Sequence, residues 1–185
     1  MTRLIAAILI CACLVLNGCH SAKTAKSDGW ISLFDGKTLN GWTANENKDC
    51  FKVQDGKIIV NGERSHLFYT GPVMNAKFTN FEWKADVMTL PNSNSGMYFH
   101  TQFQDSGWPD KGYEVQVNNS HGDWRRTGGL YAVVDVKEAP AKDNEWFSQH
   151  IIVNGKHITI KVNGVVTVDY TEPDGISQTG YPGMP

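Results

Sequence analysis

Residues 150–170 read HIIVNGKHITIKVNGVVTVDY, and no other stretch limits the fold as tightly. Apolar and polar residues alternate through it, which is the period of a half-buried strand rather than of a helix. The alternation is interrupted at Asn154-Gly155 and again at Asn163-Gly164. Asn and Gly tolerate the positive φ that tight hairpin turns require, so the stretch reads as three antiparallel strands in series. Asp55-Gly56 repeats the device inside VQDGKIIV. FEWKADVM sets Phe81, Trp83, Ala85 and Val87 against Glu82, Lys84, Asp86 and Met88. No segment after residue 28 carries a long three-to-four spacing of apolar residues, so helix is minor. Many short strands with Gly, Asn and Asp turns predict an all-β domain, and two packed antiparallel sheets suit its length best.

With 185 residues, 41% of them hydrophobic, the chain is long enough to bury a core without covalent staples. Its formal charge of −2, with acidic and basic residues intermixed, leaves no basic stripe for nucleic acid. The N-terminus is different in kind. Arg3 precedes an apolar run from Leu4 to Leu16, shorter than the roughly 20 residues of a bilayer span, which is the pattern of a signal peptide. Leu16-Asn17-Gly18-Cys19 resembles a bacterial lipobox. The expectation is therefore a signal peptide over 1–18, a lipidated Cys19, a polar tether over 19–28 and a folded domain over 29–185. Such a protein sits in the bacterial cell envelope, held to the membrane by its lipid and facing the periplasm or the exterior; ordinary secretion is the alternative. Cys11 and Cys13 would leave with the signal, so Cys50 has no partner for an internal disulfide and reads as a small buried apolar residue.

GYEVQVNNSHGDW, residues 112–124, poses the functional question. Alternation places Tyr113, Val115 and Val117 on one face and Glu114, Gln116 and Asn118 on the other, where they meet either water or a ligand. In SGMYFHTQF the same parity sets Met97, Phe99 and Thr101 against Tyr98, His100 and Gln102, so Tyr98 and His100 are expected to share the face of Glu114. Tyr113 goes to the core.

Three stretches together resemble the 3-keto-disaccharide hydrolases, the 3-keto-glucoside lyase/hydratase family. They are WISLFDGKTLNGW at 30–42, NSNSGMYFHTQFQDSGWPDKGYEVQVNN at 92–119 continued by HGDWRRTGGLYAVVDV, and EWFSQHIIVNGKHITIKVNGVVTVDYTEPDG at 145–175. The resemblance implies a concanavalin-like jelly-roll sandwich whose concave sheet binds sugar. It also implies exported bacterial proteins acting on glycosides already oxidised to a ketone at the third sugar carbon. Family members run on past the position of Pro185 through a Gln and a His-Asp pair to a final strand. The expectation here is a fragment or truncated product lacking the last C-terminal strand or strands.

A ketone acidifies the hydrogen on its neighbouring carbon, so such a glycoside opens by elimination, and water then adds to the resulting glucal. That chemistry asks for a base, a group to hold the enolate oxygen and a proton donor for the departing oxygen. Glu114 is the expected base or metal ligand, and His100 a proton shuttle or metal ligand, the two with Gln oxygens holding a divalent ion. Gln116, Asn118, Tyr98 and Asn94 are expected to meet sugar hydroxyls, with Trp108 and Trp124 as stacking faces and Arg125 or Arg126 on the enolate or a hydroxyl. Gly96 reads as a bulge or turn residue; His121 and Asp123 as loop residues; His150 and His157 as surface or sheet residues. A retaining glycanase would need two clustered carboxylates, and GYEVQVN offers one. A non-catalytic, lectin-like envelope lipoprotein accounts for the same aromatics and amides, and a structural envelope protein is the default if no sugar binds.

Overall fold

The computed structural model describes Gly29–Gly175. The expected signal segment, Cys19, the tether from 19 to 28 and any strand beyond Gly175 lie outside the described residues. The chain divides into two compact units, residues 1–32 and 33–185. Of the first unit, Gly29–Ser32 is described; it is exposed and carries no helix or strand.

The second unit is built from antiparallel strands: β1 (Trp42–Ala44), β2 (Phe51–Gln54), β3 (Lys57–Val60), β4 (Leu67–Tyr69), β5 (Phe81–Val87), β6 (Ser95–Phe99), β7 (Tyr113–Val117), β8 (Phe147–Asn154), β9 (His157–Val162) and β10 (Val165–Thr171). Helix is confined to two single 3-10 turns among the described residues. One layer is the four-stranded sheet β10-β9-β8-β5. The facing layer is β6–β7, widened by Leu130, which bridges Val115. Pairs β1–β4 and β2–β3 complete the strands.

The turns follow from their residues. Asp55 and Gly56 both have positive φ between the paired Gln54 and Lys57, and Asn163 and Gly164 repeat this between Val162 and Val165. The turn expected at Asn154-Gly155 falls one residue later. Asn154 still pairs with His157, and Gly155 leads the two-residue loop with Lys156 second, the arrangement that needs glycine first.

Alternation decides what each layer buries. Phe99, Tyr113, Val115 and Leu130 meet Ile151, Val153, Ile158, Ile160 and Val168 of the facing sheet in one cluster. Each fully buried aliphatic side chain there contributes about 1.5–3 kcal/mol. Phe81 and Trp83 of β5 pack against the same cluster, as the reading of FEWKADVM requires. Tyr113 is in this core, and its hydroxyl donates to the buried Glu172 carboxylate. Burial first, then that carboxylate, pushes the phenol far above its usual range, so it stays a donor. The all-β, two-layer antiparallel fold predicted from the sequence is the one observed.

Candidate functional site

The β6–β7 register sets Gly96 opposite Gln116 and Tyr98 opposite Glu114, so these four share the face turned away from the core. That face is not water-exposed. Glu114, Gln116 and Asn118 are 7%, 1% and 0% exposed. The segment 127–131 runs along the other edge of β7, with Tyr131 N donating to Glu114 O, Gly128 N to Gln116 O and Thr127 N to Asn118 O. A carboxylate and two amides buried on one face must each be accounted for by polar neighbours.

Glu114 is accommodated by an absence. Gly96 has no Cβ, and one built there would stand 1.9 Å from Glu114 Oε1 and 2.6 Å from Cδ. The carboxylate therefore lies across β6 in space that any other residue at 96 would fill. Tyr98 donates its hydroxyl to Glu114 Oε2 at 2.9 Å. Gly96 was expected to serve a bulge or turn; it sits inside the paired β6 and serves the carboxylate instead. Beside it, Gln116 Nε2 donates to Asn94 Oδ1 at 2.9 Å.

The site also contains a residue that the sequence did not single out. His66, just before β4, stands edge-on to Tyr98 and to Trp108, with ring centroids 5.3 Å from each. Its backbone N–H donates to Asn45 Oδ1 at 2.9 Å. Glu46 receives Arg64 Nη2 at 3.0 Å and the Gly107 N–H at 3.1 Å, which ties the approach to His66 to the loop carrying Trp108. Burial is the main influence on the imidazole and lowers its pKa; Glu46 acts against this and Arg64 with it. Nothing local in RSHLFYT marks this histidine, because tertiary packing brings it to Tyr98. Trp108, expected in the site, is half exposed against His66.

The far end of β7 is organised differently. Asn118 Nδ2 donates to Asp123 O at 3.0 Å and Arg125 O at 2.8 Å, while Oδ1 accepts from His121 N at 2.9 Å and Arg126 Nη1 at 3.1 Å. Its amide is spent on folding the loop over the strand, so the structure turns the expected sugar contact into a loop organiser. Arg126 is likewise engaged, donating to the His121 and Asp123 carbonyls. His121 Nδ1 accepts from Asp123 N. Arg125 lies between Trp124 and Tyr131, 4.7 and 4.5 Å from their ring centres, and pairs with Asp135 at 3.1 Å. Its charge is thus already matched, and Trp124 remains half exposed.

His100 does not join Glu114. Its backbone takes φ 55°, which breaks the alternation at the end of β6, and its Nε2 donates to Thr79 O at 3.0 Å. The ring packs against Phe81 and Phe99. The expected pairing of His100 with Glu114 around a divalent ion therefore lacks its geometry. Among the described residues, no three His, Cys, Asp or Glu side chains converge as a metal site. Among the described residues the donor set does not fit the ion. Cys50 is buried, with Sγ donating to Glu63 O. His150 and His157 pair with Glu82 and Asp169, on the sheet as expected.

A two-layer antiparallel sandwich with a buried carboxylate, flanking amides and half-exposed aromatics on one face is the setting of a small-molecule site. The chain matches the 3-keto-alpha-glucoside-1,2-lyase-like domain over residues 29–183, and it belongs to that family. It is similar to the 3-keto-disaccharide hydrolase of Bacteroides thetaiotaomicron (strain VPI-5482), at 27% identity over 154 residues, covering 69% of this chain and 53% of the relative. The chain thus spans about half the length of that curated relative. Two crystal structures of candidate glycosyl hydrolases from Parabacteroides distasonis ATCC 8503 share the fold. One has a TM-score of 0.67 at 22% identity, covering 78% of this chain and 73% of that one. The other has a TM-score of 0.58 at 20% identity, covering 70% and 72%.

Proposed function

We propose that this chain cleaves 3-keto-glycosides by elimination and hydration, a net hydrolysis, with Glu114 as the base. The observation that carries the reading is the Glu114 carboxylate, buried over Gly96 and receiving the Tyr98 hydroxyl. A solvated polar face would not need a glycine beneath a carboxylate; a base held in one position does. Family membership and the name of the Bacteroides relative supply the substrate class.

The ketone at C3 makes the hydrogen on C2 acidic. Glu114 takes that proton, and the electron pair passes to the C3 oxygen as an enolate. As the carbonyl re-forms, C1 and C2 become doubly bonded and the glycosidic oxygen leaves C1, taking up a proton. Water then adds at C1, C2 regains a proton, and the free 3-keto sugar results. Tyr98 orients the carboxylate by its hydrogen bond. Gln116 and Asn94, joined to one another, form the adjoining polar wall, and Trp108 offers an aromatic face for the sugar's C–H surface.

The same reading carries the envelope assignment: export, cleavage before Cys19 and a lipid on Cys19 that keeps the domain at the membrane. Incorporation of labelled fatty acid into the wild-type chain, lost in Cys19→Ala, tests it.

The deciding experiment follows ultraviolet absorbance and released aglycone from a 3-keto-glucoside and from its unoxidised parent, before and after chelation of divalent ions. Cleavage of the keto substrate alone supports elimination, and the chelation arm reads the divalent-ion expectation directly. Binding of sugar by a folded protein without turnover would favour the lectin-like alternative.

A further inference from the structure

We infer that His66 is a catalytic hydrogen-bond donor of the Glu114 site, whose Nε2–H holds the C3 oxygen of a 3-keto sugar as negative charge builds on it. The inference deepens the reading of the site as a 3-keto-glycoside lyase and rests on that reading.

Position is the first argument. The C2 hydrogen and the C3 oxygen occupy adjacent carbons, so a base and an oxygen-holding donor must flank one bond of the sugar. Glu114 and His66 flank one residue, Tyr98, whose hydroxyl donates to the carboxylate and whose ring meets the imidazole edge-on at 5.3 Å. Trp108, half exposed, meets the imidazole at the same centroid distance.

The second argument is the state of the ring nitrogens. Nδ1 is fully enclosed and has no hydrogen-bond partner. A buried N–H left without an acceptor is rarer and costlier than a buried lone pair left without a donor. The proton therefore belongs on Nε2. That atom has no acceptor among the described residues, which leaves its N–H for a ligand.

The third argument is charge. Glu46 and Arg64 act on the ring in opposite senses and pair with one another at 3.0 Å. Burial, the dominant influence, disfavours the imidazolium. A neutral imidazole N–H is suited to a developing enolate, because it donates without surrendering its proton to the oxygen. The electron balance is simple. Glu114 takes the C2 hydrogen as a proton, the pair moves to the C3 oxygen, and it returns to expel the C1 oxygen; His66 ends with the proton it began with.

Pre-organisation is the fourth. Asn45 fixes the His66 backbone, Ser65 donates to the Glu46 carbonyl, and the Glu46 carboxylate grips both Arg64 and the Gly107 N–H beside Trp108. A donor whose backbone and neighbours are already fixed spends little on reorientation during the reaction.

The test compares wild type, His66→Phe and His66→Gln. With a cleavable 3-keto-glucoside, His66→Phe is expected to lose about 10²–10³-fold in kcat with KM little changed, the effect of removing one oxyanion donor. His66→Gln keeps an N–H and is expected to recover part of that loss. The second readout uses a 3-keto-1,5-anhydro sugar carrying 13C at C3, which has no leaving group. Wild type should shift its carbonyl resonance on binding, Glu114→Gln should preserve the shift, and His66→Phe should abolish it. Turnover within tenfold of wild type in His66→Phe, or an unaltered carbonyl shift, would overturn the inference alone. If His66→Phe does not fold, His66→Leu, which also lacks a donor, takes its place: a folded His66→Leu without the carbonyl shift supports the donor role, and one with an unaltered shift or turnover within tenfold of wild type overturns it. Absence of both turnover and ketone binding in folded wild type overturns the reading of the site and the inference together.

Discussion

The two ends of the polar face of β7 use the same residue chemistry for opposite purposes. At one end Asn118 makes four hydrogen bonds to the loop from His121 to Arg126. At the other, the enclosed Nδ1 of the His66 imidazole beside Tyr98 has no hydrogen-bond partner. Asn118 is fully buried and His66 partly so, and burial alone does not account for the difference. What separates them is whether the polar atoms are already spent. A buried amide that satisfies its own fold stabilises that fold, whereas an imidazole whose donor nitrogen is left unspent keeps that donor for a ligand.

The contrast predicts that substitutions at the Glu114 end change turnover and those at the Asn118 end change stability. Glu114→Gln should give the largest effect, a loss of about 10²–10⁴-fold in kcat for the 3-keto-glucoside if it is the base, with little change in melting temperature. Aglycone release and calorimetry on the same preparation measure both. Gly96→Ala comes next. The new methyl meets the carboxylate and must displace it, and a displacement of about 1 Å costs on the order of 10²-fold in turnover. Because the two residues contend for one volume, Gly96→Ala and Glu114→Gln should combine far from additively, which a double-mutant cycle reads out. Asn118→Ala should destabilise by about 1–3 kcal/mol in denaturant unfolding by leaving buried partners unmatched, with kcat per folded molecule close to wild type. A reversal, with Asn118→Ala abolishing turnover in a stable protein, would break the distinction.

The smallest effect concerns acidity. Burial lowers the pKa of His66 and of His150 below the ordinary imidazole value of about 6.5. As pH falls through about 6.5 the unfolded chain takes up protons before the folded one does, so stability is flat above that value and declines below it. Unfolding free energies at pH 7.5 and 5.5 should show the decline, and His66→Phe should lessen it.

Much of the scaffold could be read from spacing alone. The hairpins at Asp55-Gly56 and Asn163-Gly164, the core faces of β5 and β7 and the polar face at Glu114 follow from local rules, because a strand's period of two and a turn's need for positive φ are properties of short segments. Three features were not legible. Parity carried His100 to the wrong side because its left-handed backbone lies at the strand's end, where alternation no longer holds. Asn118 looked like a ligand residue because nothing in NNSHGDWRR announces that the loop closes back on its amide. His66 was missed because it enters the site from before β4, and only tertiary packing sets it beside Tyr98.

The glycine at position 96 can be turned into a reading rule. Since its missing side chain is the berth of the carboxylate, positions 96 and 114 form one unit of inheritance even though 18 positions separate them along the chain. A sandwich of this kind with alanine or larger at the equivalent of 96 has no berth for a glutamate in this pose, whatever stands at 114. Sorting related chains by that one position should separate those that keep the carboxylate posture from those that have become binders or scaffolds.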